Sequence, residues 1–204
     1  TPKYNYIFSL SAANFNKLFI LDQFGYTGSY YLMENGSNIP ETLTRKLIEK
    51  VVKDAKVNEL YTAGSSKGGT AALYFGMKMG AKCIYAAACQ YYVGTYLSRE
   101  KHKRILKAMI GYKNEIECIA YLNSVIRTIL ENNKGTETKI DLYYSDSELT
   151  YQRQIIPLLE KIKELKIYCE ETIVHFNRHE DVGTFYSDYL RDNVTKKIEG
   201  KYED

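Results

Sequence analysis

A chain of 204 residues, 45% of them hydrophobic, has enough apolar content for one well-buried core and too little length for two comfortable domains. Its 28 basic and 25 acidic residues leave a net charge of only +3, which gives no argument for a nucleic-acid-binding face. No apolar run approaches the ~20 residues of a membrane span, and no signal-peptide pattern appears.

The chain opens on Thr1 rather than methionine and runs directly into a strand-like pattern, so it is expected to be a piece of a longer polypeptide. Residues 4 to 10 and 17 to 22 read as strands, the second with the continuous apolar run Leu18-Phe19-Ile20-Leu21 of a strand covered on both faces. A turn-rich loop, Gln23-Phe24-Gly25-Tyr26-Thr27-Gly28, follows. Residues 41 to 55 space Leu43, Leu47, Ile48 and Val51 as the apolar stripe of a helix lying on a sheet.

Residues 58 to 63 predict a strand, and 67 to 79 a helix closed by Gly80 at the position that favours a left-handed cap. Residues 82 to 88 predict another apolar strand. Two helical patterns over 98 to 133 then interrupt the alternation, where a lid or cap would sit. One carries Ile105, Leu106, Met109 and Ile110, the other Ile116, Ile119, Leu122, Ile126 and Leu130. A strand over 139 to 145, a helix over 151 to 165, a last strand over 167 to 174 and a closing helix over 182 to 198 complete the chain, the last with Phe185, Tyr189, Leu190 and Val194 inward. Alternating strands and helical crossovers imply one α/β domain, a mostly parallel central sheet covered on both faces.

Between the strand at 58 to 63 and the helix at 67 to 79 stands Gly64-Ser65-Ser66-Lys67-Gly68, a G-x-S-x-G elbow. A serine on so sharp a strand-to-helix turn is strained, with its hydroxyl exposed above the carboxyl end of the sheet. Gly64 and Gly68 are expected to keep side chains out of the crossing. Lys67-Gly68-Gly69-Thr70 lacks the G-K-[ST] ending of a phosphate loop, so that reading fails.

A serine hydroxyl needs a base and a group to orient that base. Of the three histidines, His102 lies in the insertion and His175 at the end of the last strand. His179, in the loop beyond that strand, has the expected position for the base. The acid is expected after the preceding strand, where either Asp146 or Glu148 can supply the carboxylate. The oxyanion donors would be the backbone N–H of Lys67 and one from the loop after residue 22, at Gln23 or Phe24. The cluster Arg99, Lys101, His102, Lys103, Arg104 and Lys107 reads either as a solvated helix face or as attraction for an acidic or phosphorylated substrate.

Cys83, Cys89, Cys118 and Cys169 lack C-x-x-C spacing and are expected to be free thiols, which suits a cytoplasmic setting. Twenty tyrosines without a tryptophan read as compositional drift, though some could line a sugar-binding cleft. No metal or resident cofactor is expected.

The elbow Gly64-Ser65-Ser66-Lys67-Gly68-Gly69-Thr70-Ala71-Ala72, the run Gln90-Tyr91-Tyr92-Val93-Gly94-Thr95-Tyr96-Leu97 and the stretch His179-Glu180-Asp181-Val182-Gly183 together resemble the α/β-hydrolase superfamily. Within it they are similar to bacterial capsular-polysaccharide biosynthesis proteins of the XcbB/CpsF type and, more distantly, to the glycan acetyltransferase component of the accessory Sec system. The resemblance implies O-acyl, above all O-acetyl, transfer to carbohydrate. Acyl-Ser66 would pass its group to water or to a sugar hydroxyl, and an acetyl thioester is a suitable donor. The expected partner is a small-molecule or glycan substrate; a catalytically silent fold used as a binding or scaffold module is the alternative.

Overall fold

The computed structural model describes residues 3 to 200; Thr1 and Pro2, at the head of the first strand-like pattern, and the last four residues lie outside the described residues. Among the described residues four strands form one sheet: β1 (Tyr61–Ser65), β2 (Cys83–Ala87), β3 (Lys139–Ser145) and β4 (Cys169–Val174), in that spatial order and all parallel. Parallel neighbours require crossovers, and each is helical. Helix α1 (Ile39–Asp54) precedes β1, and α2 (Lys67–Met79) joins β1 to β2. Helices α3 (Val93–Leu97), α4 (Lys103–Ile110) and α5 (Glu115–Asn132) lie between β2 and β3. A π-helical turn at Tyr151–Ile155 opens α6 (Ile156–Glu164) before β4, and α7 (Val182–Tyr189) continues through a second π-helical turn into α8 (Thr195–Glu199).

Alternation along the strands sends side chains to two cores, the period-2 consequence of pleating. Ile84, Ala86, Ile140, Leu142 and Tyr144 meet α2, α5 and α6 on one face. Tyr85, Ala87 and Tyr143 meet Tyr186, Tyr189, Leu190 and Val194 on the other. The result is a three-layer α/β sandwich, as the alternation of patterns predicts.

The two N-terminal segments expected as strands join no ladder. Residues 6 to 13 form turns, with Leu10 N–H donating to the Tyr6 carbonyl and Tyr6 at φ +64°. Residues 17 to 22 belong to no strand, and Leu18 is 44% exposed, so the apolar run is not covered on both faces. Helix α1 also departs from its expected packing. It rests on α2 through Ile48, against Ala71 and Phe75, while Leu43 and Leu47 face outward. In the closing helix Tyr189, Leu190 and Val194 are buried as expected, but the fourth inward residue is Tyr186, fully buried; Phe185 is 43% exposed and stacks on Phe176.

Residues between β2 and β3 divide their work. Val93, Tyr96, Leu97, Leu106, Met109, Ile110 and the first half of α5 pack with Tyr30, Leu32 and Met33 as a helical unit of their own. Ile126, Ile129 and Leu130, on the second half of α5, belong to the sheet core. All four cysteines are free.

Candidate active site

The chain leaves β1 and enters α2 within one residue. Ser66 sits at that corner with φ +51° and ψ −120°, a conformation that costs a non-glycine residue about 1–3 kcal/mol and persists only where neighbours enforce it. Here the enforcement is visible. Ser66 N–H donates to the Ala87 carbonyl at 2.8 Å, extending the β1–β2 ladder by one rung, and the Ser66 carbonyl accepts from Thr70 N–H at 3.0 Å to start the helix. Strand and helix cross so closely that a Cβ on Gly64 would lie 2.3 Å from the Gly68 carbonyl oxygen, and one on Gly69 2.5 Å from that of Ala87. Gly68 itself faces open space, so the steric demand falls on Gly64 and Gly69 rather than on the predicted Gly64 and Gly68.

Ser66 Oγ lies 2.6 Å from Nε2 of His179, and Nδ1 of that ring is 2.9 Å from Oε2 of Glu148. The Glu148 side chain is only 2% exposed, and its other oxygen accepts from the Thr150 hydroxyl. A buried carboxylate bound to one ring nitrogen fixes the imidazole with Nδ1–H donating, which leaves Nε2 as an acceptor for the serine proton. Of the two carboxylates the sequence offers, Asp146 goes elsewhere. It pairs with His175 at 2.8 Å on the surface, and that hydrogen bond holds its carboxyl below the usual aspartate range.

What aligns the two loops is Ser145, at the end of β3 and fully buried. Its hydroxyl donates to the Phe176 carbonyl at 2.7 Å and accepts from Phe176 N–H at 3.0 Å, lacing the loop of Glu148 to the loop of His179. A lone serine at a strand end carries no sequence signal for this. Under the elbow, Thr70, Gln90 and Tyr30 form a second buried network, with the Gln90 backbone N–H donating to Thr70 Oγ1 at 2.8 Å.

Over the histidine lies Tyr96 of α3, its ring centroid 6.2 Å from that of His179 and stacked on His102 at 4.7 Å. The His102 pKa is pulled below its ordinary value by burial, then by the charges of Lys101 and Arg99. The basic cluster does not behave as one unit. Lys101 bonds Glu180, the residue after the histidine, at 2.7 Å and drops its carboxyl to about 2, while the Arg99 guanidinium lies 5.0 Å over the Tyr96 ring. From Arg99 an open groove of about 660 Å³ runs between α3 and the turn that opens α6, with Tyr92, Ser98, Arg153 and Glu160 on its walls.

Lys67 begins α2, so its backbone N–H is among the first-turn donors that have no partner within the helix. Gln23 and Phe24 lie in the loop held against Lys67: Lys67 Nζ is 3.0 Å from Asp22 Oδ2 and donates to the Thr27 carbonyl at 3.3 Å. Among the described residues no group of three His, Cys, Asp or Glu side chains is arranged to hold a metal, and no helix is long and apolar enough to cross a membrane.

No family model matches the chain, and no curated protein matches it either. Solved structures do. The capsule O-acetyltransferase of Neisseria meningitidis serogroup A superposes with a TM-score of 0.77 at 20% identity, over 95% of this chain and 80% of that one. A glycosylation-associated protein complex (Gap123) from Streptococcus agalactiae matches at 0.62 and 18% identity, over 83% of this chain and 36% of that one. The fluorophosphonate-binding serine hydrolase FphF of Staphylococcus aureus matches at 0.58 and 14%, over 86% and 68%. At these identities the likeness is one of fold: the chain has the architecture of the α/β-hydrolases.

Proposed function

We propose that this protein is a serine-dependent acyl-transfer enzyme that moves an acetyl group from a thioester to a hydroxyl of a bacterial surface glycan, with Ser66 as nucleophile, His179 as base and Glu148 as the acid that orients it. The observation that carries this reading is the continuous path Ser66 Oγ, His179 Nε2, His179 Nδ1, Glu148 Oε2, at 2.6 and 2.9 Å, on a strained strand-to-helix corner. His179 takes the Ser66 proton as Oγ attacks the acyl carbonyl. The tetrahedral oxyanion accepts from the Lys67 amide and from an amide of Gln23 or Phe24. Collapse breaks the bond to the thiolate, which takes the proton from His179 and leaves acyl-Ser66. A sugar hydroxyl, or water, then gives its proton to His179 and attacks the ester, and Ser66 regains its proton as the product leaves.

The transferase half draws support from the fold neighbour, a capsule O-acetyltransferase that has been seen in complex with CoA. The groove beside Arg99, whose mainly apolar walls also carry the Ser98 hydroxyl, Arg153 and Glu160, is the surface assigned to the acceptor in this reading. Such a role would operate in the cytoplasm, where acetyl thioesters are made.

The test is a pre-steady-state burst with a chromogenic acetyl ester. The wild type releases one equivalent of chromophore rapidly, and both Ser66→Ala and His179→Ala lose at least 10³-fold in kcat. Unchanged turnover in Ser66→Ala would falsify the assignment and leave a silent binding module. Adding a polysaccharide acceptor then separates transfer from hydrolysis: acetyl appears on sugar hydroxyls in the first case and as acetate in the second.

A further inference from the structure

Lys67 occupies the variable position between Ser66 and Gly68 of the elbow, where its side chain has no part in nucleophile or base chemistry. Instead it reaches across to Asp22, whose side chain is 1% exposed. A carboxylate so buried is costly unless compensated. The compensation comes from the Lys67 ammonium at 3.0 Å and the Ser29 backbone N–H at 2.8 Å on the same oxygen, Oδ2; among the described residues no protein group donates to Oδ1. Asp22 and Ser29 are the two ends of the loop carrying Gln23 and Phe24. Within it the Gly28 N–H closes a turn onto the Phe24 carbonyl at 3.0 Å, and the Thr27 carbonyl takes a second bond from Lys67.

Gly28 has φ +100°, and a Cβ there would lie 2.0 Å from Lys67 Nζ and 2.7 Å from Asp22 Oδ2. The loop is thus shaped to let the ammonium in. The burial of Asp22 and the close fit of Gly28 against both charged groups mark the pair as built rather than incidental.

We propose that Lys67 and Asp22 form a clamp that positions the oxyanion-stabilising loop, so that one residue supplies both halves of the hole: its own N–H directly, and the Gln23 or Phe24 N–H by holding the loop through its side chain. This rests on the acyl-transfer reading and goes beyond it in naming two positioning residues. The clamp acts on geometry at the moment charge develops on the substrate oxygen. Loosening it costs transition-state stabilisation and leaves ground-state binding of the ester in place.

The experiment compares Lys67→Met, Asp22→Asn and the double variant, which removes both charges and leaves no unpaired buried carboxylate. Lys67→Arg is the rescue variant. Three readouts are taken: covalent labelling of Ser66 by a fluorophosphonate, kcat and KM on an aryl acetate, and the dissociation constant of a trifluoromethyl ketone that forms a tetrahedral adduct with the serine. The double variant is expected to melt near the wild-type temperature, to keep KM within about twofold, and to lose about 10- to 100-fold in both kcat and ketone affinity. Lys67→Arg recovers most of both losses. Ketone affinity and kcat unchanged within twofold in the double variant, with Ser66 still labelled, would overturn the clamp and leave the acyl-transfer reading standing. Failure of wild-type Ser66 to label at all overturns that reading, and the clamp with it.

Discussion

Asp146 and Glu148 stand two residues apart, yet each meets a different histidine. The distinction lies in burial. Glu148 is enclosed with Thr150 and points at His179, whereas Asp146 and His175 pair in solvent. Exposed pairs are worth little and are screened, while a buried carboxylate fixes a tautomer. Glu148→Gln is therefore expected to lower kcat by about 10²–10⁴-fold with little change in fold, because the amide permits the wrong imidazole tautomer. Asp146→Asn should stay within about twofold. Steady-state kinetics on the two purified variants decide it, and comparable losses in both would reverse the assignment. From sequence alone the two carboxylates were equivalent, since chain order places both after β3 and nothing local says which one the fold encloses. Ser66 and His179 were legible because their positions follow from topology, a strand end and the loop beyond the last strand.

The elbow shows how an element carries information that single residues do not. Strand, tight turn and helix were readable because small residues repeat where β1 and α2 approach, but the glycine bearing the steric demand was misplaced by one position. Gly68 opens onto empty space, and Gly69 faces the Ala87 carbonyl. Gly64→Ala or Gly69→Ala must push backbone against backbone and is expected to cost about 1–3 kcal/mol or more. Gly68→Ala, in the first turn of a helix, should be neutral or gain a few tenths of a kcal/mol. Chemical denaturation of the three variants checks the order; a Gly68→Ala loss as large as that of Gly64→Ala would contradict the geometry. The segments at 4 to 10 and 17 to 22 failed as strands for a different reason. An apolar, aromatic-rich run reports that a segment suits a sheet, but a ladder also needs a partner, and pairing is a non-local property that neither segment's own residues encode. The closing helix shows the same limit more mildly. Its period was clear, and the choice between neighbouring Phe185 and Tyr186 was settled by the Tyr186 hydroxyl, which donates to the Tyr85 carbonyl at 2.6 Å across the sheet face.

At the scale of the whole molecule, the two sheet faces are covered by different parts of the chain. Crossover helices α2, α5 and α6 pack on one face, and the run from α7 to α8, which follows β4, packs on the other. His179 stands at the start of that helical run, so docking of the run bears on the site. The dock is partly electrostatic. Asp141, 1% exposed in the middle of β3, accepts from the Tyr189 hydroxyl at 2.9 and 2.8 Å and from Lys197 Nζ at 3.0 Å, and Lys197 also bonds Glu170 of β4 at 2.8 Å. Burial pulls the Lys197 ammonium down, but the bonds to Glu170 and Asp141 more than reverse this and raise its pKa. Removing the lysine would leave Asp141 with Tyr189 and, among the described residues, no counter-charge. Because Lys197 is itself 31% exposed, water can partly replace it, so Lys197→Met is expected to cost about 1–3 kcal/mol, below the range for a fully buried pair. In a chain of this size that lowers the melting temperature by roughly 2–12 °C. Lys197→Met with Asp141→Asn should recover part of the loss, since no buried charge is then left unpaired. Thermal melts of the single and double variants, read beside Ser66 labelling at 25 °C, test the idea. Loss of labelling in a folded Lys197→Met protein would mean that docking of the helix sets the position of His179; retained labelling with a lowered melting temperature would confine the pair to stability, the outcome expected here because Ser145 holds the His179 loop independently.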